Sequence, residues 1–89
     1  MPRISAFYGI VIWMYHDENH HLGRPHFHAR YGDDEASIDI EDLMVIAGGV
    51  PPRALRLVVE WARQHQPELR RNWDRARRHE PLKPVDPLR

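Results

Sequence analysis

The sequence predicts an α+β domain: a small antiparallel sheet of three to four strands, packed on one face by a C-terminal helix or kinked helix pair. Three observations carry this. Apolar, β-branched and aromatic residues fill 7–16. Residues 26–31 and 36–41 alternate polar and apolar on either side of a Gly-Asp-Asp-Glu turn. From Arg53 onward the hydrophobic period lengthens from two to that of a helix. With 89 residues, 42% hydrophobic and 29% charged, the chain has room for one domain and one modest core. That domain is expected over residues 1–79, with 80–89 as a Pro-rich flexible tail.

The run at 7–16 reads as a strand buried on both sides, interrupted only by Gly9. Residues 17–25 are polar and carry Gly23 and Pro25, so they form a loop. With a hairpin centred between Asp33 and Asp34, Tyr31 faces Ala36, Ala29 faces Ile38 and Phe27 faces Ile40 on one side. On the other, Arg30 faces Ser37, His28 faces Asp39 and His26 faces Glu41. Apolar meets apolar at every rung, and a slip of one residue would destroy that sorting. Residues 43–52 supply a brief fourth strand or edge segment ending at Gly48 and Gly49, and Pro51 and Pro52 suit the first turn of a helix.

In that helix Leu55, Leu57, Val58, Val59, Trp61 and Ala62 share one arc, opposite Arg53, Arg56, Glu60, Arg63 and Gln64. His65 falls inside the apolar arc. Pro67 removes a helical hydrogen bond, yet Leu69, Trp73 and Ala76 keep the phase. A kink or break near Gln66 is therefore expected, with helix continuing to about His79. Prolines at 81, 84 and 87 make the remainder extended.

Composition excludes several functions. There are no cysteines, hence no disulfides, thiolate metal sites or Cys nucleophile. The apolar run 7–15 is too short to span a bilayer and lacks the small-residue cleavage site of a signal peptide. These features point to the cytoplasm and away from membranes. Formal net charge is zero, but the charges are segregated. Asp17, Glu18, Asp33, Asp34, Glu35, Asp39, Glu41 and Asp42 crowd the middle of the chain, whereas arginines dominate from Arg53 to Arg78. Such an arrangement favours a homodimer or another charged partner.

The pattern richest in chemistry is Arg24-Pro-His-Phe-His-Ala-Arg30. His26 and His28 point to one side of their strand because the side-chain period is two. A metal would need further ligands, with His16, His20, His21, Asp39 and Glu41 as the candidates. Larger His-x-His metalloenzyme barrels are excluded by length. A cupin-like site wants a glutamate sooner after the second histidine than Glu35, and a histidine-triad hydrolase wants histidine where Arg30 stands. Without metal or cofactor, His28 oriented by Asp39, with His26 and Arg30 beside it, forms a candidate catalytic face for ribonuclease-like acid–base chemistry. The alternative is a sheet face merely stabilised by cross-strand His–Asp and His–Glu pairs. Glu41, Trp61, Arg70 and Arg71 are candidate binding residues. Trp61 doubles as a core anchor, and the arginines lie at a basic helix end that could meet nucleic acid or an acidic partner.

Taken together, residues 4–15, 24–32, 36–65 and 68–76 resemble the bacterial domain-of-unknown-function family 4160, small proteins marked by a Pro-His-Phe-His-Ala core. Residues Pro25 to Ala29 carry the most specific part of the match, and Pro67 departs from the family's helix-friendly residue there. The resemblance implies a compact α+β domain with no established reaction and no agreed catalytic residues. It also implies one half of a two-gene module, commonly beside another uncharacterised family (number 2442), similar to toxin–antitoxin pairs.

Overall fold

In the computed structural model, which describes residues 3–15 and 24–89, five strands form one antiparallel sheet and two helices follow. The strands are β1 (Arg3–Phe7), β2 (Ile10–Trp13), β3 (His26–Tyr31), β4 (Asp34–Asp39) and β5 (Val45–Gly48); the helices are α1 (Pro52–Gln64) and α2 (Gln66–Arg77). Strand order in space equals order in sequence.

The architecture matches the expected α+β class, with five strands in place of three or four. The extra strand is β1, which lies almost wholly ahead of the apolar run and meets it at Phe7. Tyr8 and Gly9 both adopt positive φ, at 49° and 79°, and make a two-residue hairpin turn that pairs Phe7 with Ile10. What reads as one doubly buried strand is the last residue of β1, a turn and the whole of β2.

The β3–β4 hairpin corrects the expected register by two residues. Its turn is Gly32-Asp33, so Tyr31 pairs with Asp34, Arg30 with Glu35, Ala29 with Ala36, His28 with Ser37, Phe27 with Ile38 and His26 with Asp39. Gly32 takes φ +60°, which a turn with glycine at its first central position requires and a non-glycine residue rarely supplies. A slip of two preserves which face each side chain occupies. Phe27, Ala29, Ala36 and Ile38 therefore still point into the core, but every cross-strand partner changes.

That core gathers Phe7, Ile10 and Ile12 from the first hairpin with Val58, Trp61, Ala62, Leu69 and Trp73 from the helices. Trp61 packs against Phe7 at 5.4 Å and Phe27 at 5.8 Å between ring centroids. The helices break at His65 (φ −128°), and α2 begins with Gln66 and Pro67, where a missing N–H costs no helical bond. α2 ends at Arg77, two residues short of expectation.

Residues 80–89 differ from the flexible tail expected. They run back across the domain as a strap: Val85 and Leu88 are buried in the core cluster, Val85 N–H donates to Ile4 O at 2.8 Å, and Trp61 Nε1–H donates to Asp86 O at 2.7 Å. No helix among the described residues is long and apolar enough to cross a membrane.

Candidate functional site

The polar side of β3 changes character along its length. At the turn end Arg30 and Glu35 form an exposed rung. Two residues back, His28 is 7% exposed, and at the start of the strand His26 is 1% exposed. Local pairing explains the gradient. Trp13 of β2 lies opposite His28 and stacks on its ring at 5.3 Å and 15°. Tyr15 closes on the same imidazole edge-on at 5.0 Å.

His28 Nδ1 hydrogen-bonds Ser37 Oγ at 3.2 Å and lies 3.9 Å from a carboxylate oxygen of Glu35. His26 packs edge-on to His28 at 5.2 Å and against Trp73 of α2 at 5.1 Å. Its Nδ1 lies 2.7 Å from the carbonyl oxygen of Arg24. A carbonyl only accepts, so this nitrogen carries the proton and the ring's tautomer is fixed.

Asp39 does not orient His28, as the expected register required. It sits opposite His26, and its carboxylate is already engaged. Oδ2 accepts from Arg24 Nε at 2.8 Å, while Oδ1 accepts from the backbone N–H groups of Glu41 at 2.6 Å and Asp42 at 3.2 Å. Burial pushes this carboxyl upward, but the two backbone donors and the Arg24 guanidinium outweigh it and hold its pKa below the ordinary value. Asp39 thus closes the turn between β4 and β5.

Glu41 does not reach His26 either. Both its oxygens are taken by Arg70 of α2 through Nε and a terminal nitrogen, each at 2.8 Å. The Arg70 hydrogen bond lowers the Glu41 pKa, and the same bond raises that of Arg70. Two candidate binding residues are therefore each other's partners, tying the β4–β5 turn to α2. Gln66 reinforces the tie by donating to Ile40 O and Glu41 O. Trp61 is fully buried under the strap and serves the core. Arg71 stands apart, on the exposed side of α2. His65 turns its Nδ1 to Glu68 at 2.6 Å.

The structure brings His26, His28 and Asp39 together and leaves Arg30 on the exposed rung. An acid–base site needs its imidazole within reach of the proton it moves, and among the described residues the two rings are largely covered, His26 at 1% and His28 at 7% exposure. Among the described residues, no group of three or more His, Asp or Glu is placed to hold a metal ion. His16, His20 and His21, the other candidate ligands, lie outside the described residues.

The roles of three residues that shape this region escaped the sequence reading. Trp13 is detectable only once β2 is known to pair with β3, Arg24 once the chain is seen to re-enter the sheet beside Asp39, and Ser37 once the turn is placed at Gly32.

No curated protein and no solved structure matches the chain. The family described as Domain of unknown function (DUF4160) matches residues 9–74, a span that runs from the first β-turn through most of α2 and contains His26, His28, Arg30 and Asp39. The chain belongs to the DUF4160 family.

Proposed function

We propose that this chain is the protein-binding half of a small cytoplasmic two-gene module of toxin–antitoxin type, and that it accepts an extended apolar strand of its partner on the outer edge of β5. The two-gene arrangement rests on the family resemblance. The mode of binding rests on one observation, the state of β5.

β5 is the last strand of the sheet. Its sequence, Val45-Ile46-Ala47-Gly48, carries none of the charges or prolines with which proteins usually blunt an exposed edge. Met44 is 64% and Val45 38% exposed, so apolar side chains stand beside backbone groups able to extend the ladder. Strand addition uses this combination: main-chain hydrogen bonds give affinity and alternate side chains give specificity.

The test is co-purification with the product of the neighbouring gene, using the parent chain and the variants Met44→Asp and Val45→Asp. Both variants should fold with unchanged thermal stability and lose the complex. Persistence of the complex in both variants, or absence of any complex and of any growth phenotype on co-expression, overturns the proposal. A parent chain that is dimeric alone, and monomeric as Val45→Asp, would assign the edge to a second copy instead.

A further inference from the structure

A second surface lies away from β5, and its chemistry is different. Between α2 and the strap is a cavity of about 210 Å³, lined by Glu68, Arg71, Asn72 and Arg75 of α2 and by Lys83, Pro84 and Val85 of the strap. We infer that this cavity is a binding site for one phosphate group, as inorganic phosphate or as the phosphate of a small phosphomonoester. The inference does not depend on the β5 proposal.

Three cations meet one carboxylate here, and that carboxylate is partly spent: Glu68 Oε1 accepts from His65 Nδ1 at 2.6 Å. Neither Arg71 nor the Lys83 ammonium has an acidic partner among the described residues. The excess positive charge suits a dianion.

The site is also built from beneath. Asn72 is 1% exposed, and both atoms of its side-chain amide head are tied to the cationic residues. Its Nδ2 donates to Lys83 O at 2.8 Å, and its Oδ1 accepts from Lys83 N–H and from Arg75, both at 2.9 Å. One buried amide therefore anchors both the backbone of Lys83 and the guanidinium of Arg75. Fixing these groups beforehand lowers the ordering cost of binding. Guanidinium and ammonium donors converging on a small cavity are the usual phosphate partners, bidentate for arginine and point-charge for lysine.

Size selects the ligand. Sites for drug-sized molecules run from roughly 300 to 1,000 Å³; this one is smaller and takes a phosphate with little attached. A polynucleotide backbone would need a longer cationic track.

The experiment is calorimetric titration of the full chain with inorganic phosphate and with glycerol 3-phosphate at constant ionic strength. It compares the parent, Arg71→Gln, Lys83→Gln and the control Arg56→Gln on α1. Saturable one-to-one binding is expected, weakened about tenfold or more by each of the first two substitutions and unchanged by the third. Melting temperatures equal to the parent's would show that those losses are not unfolding. No saturable binding of either probe, or equal weakening by Arg56→Gln, overturns the inference. So does a 12-nucleotide single strand that binds and is not displaced by inorganic phosphate, because the cations would then form a nucleic-acid footprint.

Discussion

The two edges of the sheet are handled by opposite means. At β1 the chain covers its own edge: Val85 donates to Ile4 O, and Val85 and Leu88 bury their side chains in the core. At β5 nothing among the described residues pairs with the outer edge, and the strand is held from within. Asp39 closes the turn before it, Arg70 and Gln66 clamp that turn to α2, and Gly49 N–H returns to Glu35 O at 2.9 Å. A short chain without disulfides gains from covering every edge it can. One edge is thus strapped by the chain itself and the other braced only from within.

Removing the strap is the harshest way to break this contrast. A chain ending at Glu80 loses the burial of Val85 and Leu88 and leaves Trp61 Nε1–H without its acceptor. From the side-chain burial and the unmet donor, we expect a loss of about 4 kcal/mol in urea unfolding, together with aggregation through β1. Unaltered stability would mean that β1 needs no cover.

The next effect falls on the other edge. Gly48 has φ +69°, and a Cβ there would drive into the backbone oxygen of Glu35. Gly48→Ala should cost about 2–3 kcal/mol through strain and displacement of β5. Amide exchange should quicken in β5 and β4 while β1 keeps its protection.

Asp39→Asn tests the brace. The Asp39 carboxyl has a lowered pKa in the folded chain, so its stabilisation is full above its unfolded value of about 4 and is lost as pH falls through the lower folded value. The parent's melting temperature should therefore drop through that acid window. The Asn variant should start lower at neutral pH, by about 1–2 kcal/mol, and show a shallower fall. Identical pH profiles would remove Asp39 from the account.

Glu41→Gln is the mildest change. It breaks an exposed ion pair with Arg70, and such pairs contribute little. A small decrease in melting temperature that vanishes in added salt is expected. A large decrease would show that the clamp, and not Asp39, sets the position of β5.

The sequence made the sheet's two faces legible, because side-chain alternation survives a two-residue slip. It did not fix partners. Gly32-Asp33-Asp34-Glu35 permits neighbouring turn centres, and the choice falls to the positive φ of Gly32, a preference that alternation alone does not weigh. The slip moved Asp39 from His28 to His26, and Arg24 then took its carboxylate. The first hairpin was obscured because Tyr8 stands at φ 49°, where an aromatic residue is rarely found. The α1–α2 break was legible because Pro67 has a strong local effect. The strap was not, since its two apolar anchors gain meaning only beside Ile4 and Trp61, which are remote in sequence.

That remoteness has a kinetic consequence. Every strand pairs with its immediate neighbour along the chain, so the sheet assembles through pairings between consecutive strands, and such topologies fold quickly. The Val85–Ile4 bond instead joins positions 81 apart (85 − 4), and closing so long a loop carries a larger entropic cost. Zippering of the meander should therefore precede docking of the strap. In that interval β1 stands open, and at high concentration the strap of one molecule can close on the β1 of another, making exchange of straps the route by which this fold would misassemble.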